Sequence, residues 1–462
     1  MSVALLTDRY ELTMLEAALS DGTAQRQCIF EVFARRLPPG RRYGVVAGQG
    51  RLLELLPNFR FDQAEVDYLV SNGIVGSNTG EWLANFRFTG NIVGYREGEI
   101  YFPGSPVLTI SGTFAETVLL ETLVLSVLNH DSAVASAASR MTVAAGQRPC
   151  LEMGARRTHE QAALAAARAA QVGGFAGTSV LEAGRRWGIE TIGTAAHAFT
   201  LLHDDEQTAF AAQIAAQGPG TTLLVDTFDV AKAVRLAIAV AGPSLRAVRL
   251  DSGDLTVLAG EVRSLLDSLG ATNTGIIVTS DLDEYAIAGL AAAPVTAYGV
   301  GTRLVTGSGA PTAEFVYKLV ARQDSSGSLR GIAKIAGGSK ATVAGAKQAS
   351  RGYDQSGRAV AEILQICDSD PLQPSIDHSV YPILPSAANP LAPDQQQPTA
   401  PHRLRPLTVP LVQAGIVETN WTGAEGLRLA AEHHRTVRSE LPRSALRLSA
   451  GEAAIPTQLV SR

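Results

Sequence analysis

The hydrophobic and polar positions of the first 112 residues predict a mixture of strands and helices. A long helix is predicted over Phe114–Ala145, because apolar residues recur at helical spacing after Thr113 and Glu116 falls in the first turn. Apolar runs bounded by Gly and Pro indicate strands at Cys28–Arg35, Gly98–Gly104 and Pro106–Gly112.

Short apolar strands then alternate with Ala-rich helices between Cys150 and about Thr306. Seven such units favour an irregular seven-stranded parallel α/β barrel of the TIM type, with an open, doubly wound sheet as the alternative. Polar or Gly-rich residues follow every predicted strand, as expected at the barrel face that carries an active site. The strand ends read CLEMGARR, GGFAGTS, ETIGTAAH, TLLVDTFD, AVRLDSGD, GIIVTSD and AYGVGTR.

The predicted domain organisation has four segments. Residues 1–112 are mixed α and β, residues 113–312 form the barrel, and residues 313–385 return to sheet and loop character. Residues 386–462 form a C-terminal strap and helical segment. Within it, the Pro/Gln-rich stretch 390–406 predicts an exposed linker or strap, and Gly423–Glu440 predicts an amphipathic helix.

The composition excludes several classes of protein. Of the 462 residues, 46% are hydrophobic and 18% are charged, which is typical of a globular chain and not of a disordered one. A net charge of −5 provides no basic excess for nucleic acid or for an anionic membrane. The three cysteines are widely spaced, which disfavours a zinc site and fits a reducing compartment. We expect a cytoplasmic protein without nucleic-acid or membrane partners.

Several residues at predicted strand ends are suited to chemistry. His197 follows the strand ETIGT, and a neutral imidazole can accept and release a phosphoryl group; a histidine satisfied by hydrogen bonds is the alternative. Asp251 and Asp254 flank Gly253 and can bind ribose hydroxyls or hold Mg²⁺ through water, although Asp254 could equally cap the next helix. Glycines allow backbone N–H groups to approach a phosphate, a weak signal that covers Gly299, Gly301 and Thr302.

Four motifs in one order resemble nicotinate phosphoribosyltransferase, a type II phosphoribosyltransferase like the nicotinamide and quinolinate enzymes. They are LLTDRYELTM, GTAAHAFTLLH, VRLDSGDL and YGVGTRLVTG, and the resemblance runs from Leu5 to about Lys318. It implies ATP-coupled transfer of phosphoribosyl from PRPP to nicotinate, an entry step to NAD salvage. It also implies a barrel packed with an α+β sandwich domain built from N-terminal and C-terminal segments, and a homodimer with shared active sites. Mg²⁺ is expected to bind mainly through the substrate phosphates, and ATP is expected as a co-substrate.

The resemblance also implies roles for individual residues. His197 matches the histidine that ATP phosphorylates transiently, Asp226 the aspartate that orients it, and Asp251 the ribose-binding aspartate; Asp229 is the alternative to Asp226. The phosphoribosyl and diphosphate residues would be Arg35, Arg140, Arg249, Asp251, Gly253, Asp281, Gly301, Thr302 and Lys318.

Nicotinate binding would fall to Tyr10, Arg156 and Ser179, with Tyr10 stacking on the pyridine ring of the neighbouring subunit's site. Ser179 stands where nicotinamide-using relatives carry Asp, which would repel the nicotinate carboxylate; Ser179 could also be a helix N-cap. A nicotinamide phosphoribosyltransferase is therefore disfavoured. A quinolinate enzyme is disfavoured because it should lack the phosphorylatable His. A barrel aldolase is disfavoured because it would need a lysine at a strand end, and no predicted strand end carries one. A catalytically silent paralogue that acts as a binding protein stays open.

Overall fold

The computed structural model describes residues 2–335, 342–367 and 401–460, and it forms two compact units. Unit 1 comprises Met1–Ser136 with Thr312–Arg462, and unit 2 comprises Ala137–Pro311, which is described throughout. The first boundary thus lies after residue 136 and not at residue 113. The reason is that apolar side chains from Ala115 to Leu128 are buried in the core of unit 1.

The N-terminal segment of unit 1 combines helices with short strands. Its described helices are α1 (Arg9–Asp21), α2 (Gln49–Leu55), α3 (Gln63–Ser71), α4 (Ser77–Ala84), α5 (Phe114–Val118) and α6 (Glu121–Ala145), of which α6 continues into unit 2. Its described strands are β1 (Gln27–Ala34), β2 (Gly44–Val45), β3 (Asn91–Tyr95), β4 (Ile100–Tyr101) and β5 (Leu108–Thr113). The strands predicted around β1 and β5 are confirmed, whereas Gly98–Gly104 contributes only the two residues of β4.

The predicted helix over residues 114–145 is two consecutive helices. Thr113 and Glu116 form a capping box: the Thr113 hydroxyl accepts from the Glu116 N–H at 3.3 Å, and Glu116 Oε2 accepts from the Thr113 N–H at 3.1 Å. The stretch is long and apolar enough to cross a bilayer, but most of its apolar window is buried inside the structure, as in a core helix.

Unit 2 alternates strands and helices. Its strands are β6 (Cys150–Glu152), β7 (Gly177–Thr178), β8 (Thr222–Leu224), β9 (Ala247–Leu250), β10 (Gly275–Val278) and β11 (Ala297–Val300). Its helices after α6 are α7 (Glu160–Val172), α8 (Leu181–Trp187), α9 (His197–Leu202), α10 (Glu206–Gln217), α11 (Val230–Ala241), α12 (Leu255–Ser268), α13 (Glu284–Gly289) and α14 (Thr302–Val305).

Within the fully described unit 2, six parallel strands form one sheet in the order β7-β6-β11-β10-β9-β8. One of the seven predicted strands, ETIGT (the third in chain order), is reduced to an isolated parallel bridge between Thr191 and Thr178. It is held by two backbone hydrogen bonds, from Thr178 N to Glu190 O and from Ile192 N to Thr178 O. The α/β class is therefore confirmed, and the seven-stranded TIM-type barrel is not.

The C-terminal segment returns to unit 1. Its described elements are β12 (Phe315–Gln323), β13 (Leu329–Gly331), β14 (Ala346–Tyr353), β15 (Ala359–Cys367), β16 (Arg403–Pro406), β17 (Thr408–Gln413), β18 (Ile416–Val417), α15 (Gly423–Ser439) and β19 (Thr457–Val460). The predicted amphipathic helix is confirmed as α15. Of the predicted strap, residues 390–400 lie outside the described residues. Its last four residues, Arg403–Pro406, form strand β16.

Both chain segments of unit 1 share one antiparallel sheet, in the order β13-β12-β1-β5-β3-β17-β18 among the described strands. Strand β1 pairs with β5 on one side and with β12 on the other. Phe30 of β1 stacks on Tyr317 of β12 with ring centroids 4.7 Å apart, and both rings belong to the core. A second, four-stranded sheet has the order β16-β14-β15-β19.

Candidate active site

His197 is the first residue of α9, and it follows the ETIGT segment, residues 190–194. Its Nδ1 lies 3.1 Å from the Thr227 hydroxyl. Its Nε2 lies 3.8 Å from Asp226 Oδ1 and 4.0 Å from Asp251 Oδ2. The ring is 39% exposed, so a substrate can reach it, while the Thr227 hydroxyl contacts it and two carboxylates lie nearby.

Asp226 and Asp251 follow β8 and β9, and hydrogen bonds tie them together. Asp226 Oδ2 accepts from the Asp251 N–H at 2.9 Å and from the Ser252 hydroxyl at 2.7 Å. Asp226 Oδ1 is buried without a hydrogen-bond partner among the described residues, and it is the oxygen near His197. Asp251 in turn accepts from the Thr279 hydroxyl. The structure therefore brings the three predicted catalytic residues together.

Asp229, the alternative partner of His197, has a different role. It is the N-cap of α11, and its carboxylate accepts from the Lys232 N–H at 2.8 Å. Asp254 likewise caps α12 by accepting from Thr256 N and Val257 N, as its structural alternative predicted. Gly253, between the two aspartates of its motif, has a φ of +86°, and a Cβ there would also lie 2.6 Å from Leu258 Cδ1. Glycine is required at that turn.

Cationic side chains accompany these carboxylates in unit 2. Arg249 of β9 donates to the Thr194 hydroxyl, and its Nε is buried without a hydrogen-bond partner among the described residues. Burial lowers the pKa of the Arg249 guanidinium, and the positive charge of Arg156 lowers it further, while Asp251 and Asp226 act in the opposite direction. Arg156 itself is exposed, in a 3-10 turn after β6.

Ser179 follows β7 and is partly buried. Val180, and not Ser179, is the N-cap of α8, so the N-cap alternative for Ser179 is wrong. The Ser179 N–H donates to Glu152 O at 2.8 Å, which places this residue beside the end of β6.

The two glycines at the end of β11 have different surroundings. A Cβ on Gly299 would lie 2.5 Å from Thr279 Cγ2 and 2.7 Å from Met153 Sδ, so this glycine is needed for packing. Gly301 precedes the short helix α14, whose first residue, Thr302, is exposed. The predicted phosphate contacts of Gly301 and Thr302 stay predictions.

Two further phosphoribosyl candidates differ in their surroundings. Asp281 is exposed, and the cap of α13 is Asp283, which accepts from Tyr285 N at 2.9 Å. Arg140 is buried, and its Nε donates to Glu284 Oε1 at 2.9 Å. In this structure Arg140 is therefore part of a buried ion pair.

Tyr10, Arg35 and Lys318 all lie in unit 1: Tyr10 and Lys318 lie near Glu121, and Arg35 lies near Lys318. The Tyr10 hydroxyl donates to Glu121; burial raises the pKa of that hydroxyl well above its usual value, and the Glu121 charge adds to the effect. Burial lowers the pKa of Lys318, opposed by Glu121 and reinforced by the charges of Arg35 and Lys334. Residues predicted for the base and for diphosphate thus form one charged cluster.

The magnesium ion expected from the sequence stays a prediction, and the structure offers one carboxylate suited to it. Among the described residues, no group of three or more His, Cys, Asp or Glu side chains has the geometry of a metal site. The one-third exposed carboxylate of Asp251 provides oxygen acceptors that suit a hydrated divalent cation, whereas Oδ1 of Asp226 is buried and lies near His197.

The sequence reasoning missed Thr227, Thr279 and Glu152. Thr227 contacts His197, Thr279 contacts Asp251, and Glu152 is a buried carboxylate at the end of β6. All three lie at strand ends, so the strand-end criterion could have included them.

Comparisons with known proteins agree on one family. A family model, the N-terminal domain of nicotinate phosphoribosyltransferase (NAPRTase), matches residues 5–129. The chain is 51% identical over 464 residues to nicotinate phosphoribosyltransferase pncB1 of Mycobacterium tuberculosis, covering 99% of this chain and 95% of that one. It is 37% identical over 364 residues to the Bacillus subtilis nicotinate phosphoribosyltransferase, covering 77% and 74%. The crystal structure of human nicotinic acid phosphoribosyltransferase matches with a TM-score of 0.78 and 25% identity, covering 98% and 97%. The chain belongs to the nicotinate phosphoribosyltransferase family.

Proposed function

We propose that the protein transfers the phosphoribosyl group of PRPP to nicotinate and couples this transfer to ATP through phosphorylation of His197. The products are nicotinate mononucleotide, diphosphate, ADP and phosphate. The observation that carries the proposal is the arrangement of one exposed imidazole against two carboxylates within 4.0 Å at adjacent strand ends. The activity for which the relatives are named supplies the reaction class.

In the coupling step, an imidazole nitrogen of His197 forms a bond to the γ-phosphorus of ATP as the bond to the ADP oxygen breaks. Water later cleaves the N–P bond, which releases phosphate and restores the ring. Asp226 stabilises positive charge on the ring, because its Oδ1 faces Nε2 and is not neutralised by another hydrogen bond. Thr227 fixes the orientation of the ring through Nδ1.

In the transfer step, the bond between the anomeric carbon and diphosphate breaks, and diphosphate leaves with the electron pair. The lone pair of the pyridine nitrogen forms the new C–N bond. Asp251 is suited to accept from the ribose hydroxyls, and Arg249, Gly301 and Thr302 are the proposed phosphate contacts of unit 2. Mg²⁺, held mainly by the substrate phosphates with water-mediated contacts to Asp251, would offset the negative charge of those phosphates.

The base would be selected by Arg156 and Ser179. A guanidinium recognises the nicotinate carboxylate with charge-assisted hydrogen bonds, and the Ser179 hydroxyl can donate to the same group. Tyr10 would stack on the pyridine ring of a neighbouring subunit, in a homodimer located in the cytoplasm. Unit 2 leaves several large apolar side chains exposed, which supports a second copy as partner; four of them are Leu181, Leu201, Leu202 and Phe228.

The test measures product from nicotinate and from nicotinamide, each with PRPP and Mg²⁺, with and without ATP. A His197→Ala variant is compared with His203→Ala, a control at the end of the same helix whose Nδ1 contacts Phe199 O. We expect nicotinate mononucleotide with matched ADP release, strongly reduced in the His197 variant and retained in the His203 control.

Other outcomes would contradict separate parts of the proposal. Turnover of nicotinamide would overturn the role of Ser179. Equal activity with and without ATP in the wild type would remove the coupling step. No product from either base, in a folded protein, would favour a silent paralogue.

A further inference from the structure

A buried carboxylate lies at the end of β6, beneath two loops that carry proposed base contacts. Glu152 has no exposed surface. Its Oε2 accepts from the Thr178 hydroxyl at 2.5 Å, and its Oε1 accepts from the Gly154 N–H. Burial raises the pKa of the Glu152 carboxyl, whereas its hydrogen bonds lower it, and no ion pair within the described unit 2 contributes.

The two donors belong to different loops. Gly154 opens the turn after β6, where Arg157 N donates to Gly154 O at 2.9 Å and Arg156 occupies the middle. A Cβ on Gly154 would lie 2.3 Å from Val305 Cγ1 and 3.0 Å from Glu152 Oε1, so this turn is tightly enclosed.

On the other side, the Thr178 hydroxyl has a double role. It donates to Glu152 and accepts from the Val180 N–H at 3.0 Å, so it spans the loop that holds Ser179. The Ser179 N–H donates to the backbone carbonyl of Glu152 at 2.8 Å. One carboxylate therefore connects the loop of Arg156 with the loop of Ser179.

We propose that Glu152, with Thr178 as its relay, is a positioning residue that sets the spacing between Arg156 and Ser179 and thereby the affinity for the pyridine base. This inference rests on the proposed function. A carboxylate suits the position because both donors need an acceptor oxygen, and a glutamine side chain offers only one.

The experiment compares Thr178→Val, Thr178→Ser and Thr274→Val by steady-state kinetics and thermal unfolding. Thr178→Val keeps the shape and removes the hydroxyl, whereas Thr178→Ser keeps the hydroxyl. Thr274→Val is the matched control: Thr274 is buried just before the amino end of β10, and its hydroxyl has no hydrogen-bond partner among the described residues.

We expect Thr178→Val to raise the KM for nicotinate about 10-fold and to leave the KM for PRPP near the wild-type value. Thr178→Ser should restore the wild-type KM, and Thr274→Val should change neither. Glu152→Gln, which retains the volume of the side chain, should raise the same KM and serves if Thr178→Val does not fold.

A rise of both KM values together, or a lower melting temperature with an unchanged KM for nicotinate, would overturn the inference and assign the contacts to stability. Failure of Thr178→Ser to restore the KM would also overturn it. Absence of product from the wild type would instead refute the proposed function on which the inference rests.

Discussion

Replacing Asp226 by Asn tests the electrostatic role proposed for this carboxylate. The amide oxygen can still accept from Asp251 N and Ser252 Oγ, now at 2.9 and 2.7 Å from Asp226 Oδ2. The amide nitrogen would take the place of Oδ1, which has no partner to lose among the described residues and lies 3.8 Å from His197 Nε2. The variant thus keeps the shape and hydrogen bonds and removes one negative charge.

The expected effect follows from Coulomb's law. At 3.8 Å, a unit charge pair is worth about 4 kcal/mol at an effective dielectric constant of 20 and about 1 kcal/mol in bulk water. Asp226 is buried and His197 is 39% exposed, so the site lies between these limits. We take about 2 kcal/mol, which corresponds to a roughly 30-fold decrease in the ATP-driven rate.

The assay follows nicotinate mononucleotide and ADP with saturating substrates, with Asp229→Asn as the matched control. Asp229 caps α11 through Lys232 N, and an Asn side-chain oxygen can accept the same hydrogen bond, so this substitution should leave both thermal stability and the coupled rate nearly unchanged. The reasoning would be refuted by a full ATP-driven rate in Asp226→Asn, or by a larger loss of rate in Asp229→Asn than in Asp226→Asn.

Three further outcomes are expected. Ser179→Asp should lower kcat/KM for nicotinate about 10-fold or more, because it places a second negative charge by the base carboxylate, whereas kcat/KM for nicotinamide should not fall in parallel. Arg140→Ala should lower the free energy of unfolding by about 3–5 kcal/mol in denaturant titrations, because it leaves Glu284 buried without its cation; a loss below 1 kcal/mol would contradict this. Burial lowers the pKa of His434 to about 3, so the folded state stays neutral where the unfolded chain takes up a proton; stability should fall by about 2 kcal/mol between pH 6.5 and 5, and a His434→Gln variant should lose this dependence in thermal melts.

Local signals in the sequence predicted local structure well. The Thr113–Glu116 capping box needs only residues three apart, and it starts α5 where the pattern placed the helix. The alternation of strands and helices in unit 2 predicted a parallel sheet, because each of these short elements is also marked by residues close together in the chain. The boundary at residue 137 was not predictable in this way, because it depends on which core buries the apolar side chains of residues 115–128.

The ETIGT segment shows where a hydrophobic pattern fails to predict a strand. ETIGT has the composition of a strand, but a strand requires a continuous partner, and this segment makes only two backbone hydrogen bonds to β7. Pairing is a property of the neighbour as well as of the segment, so a single apolar run cannot decide it.

The strand-end rule was more successful for charged residues than for hydroxyls. Because parallel strands end at one edge of a sheet, the rule placed Asp226 and Asp251 side by side, and their hydrogen bond confirms that proximity. It also selected Asp281 and did not single out Asp283, two residues further along the chain. Only the backbone path decides that Asp283 reaches Tyr285 N and that Asp281 stays exposed.

The residues that the sequence reasoning did not single out are those that act through others. Glu152 resembles any charged residue in a strand until its burial is known, and Thr178 resembles any small polar residue. Their importance follows from a carboxylate that has two donors and no cation, a combination that depends on the pairing of β6 with β7. Since such a group is costly to bury, the fold retains it at a cost in stability, and the proposed compensation is a fixed spacing between the loops of Arg156 and Ser179.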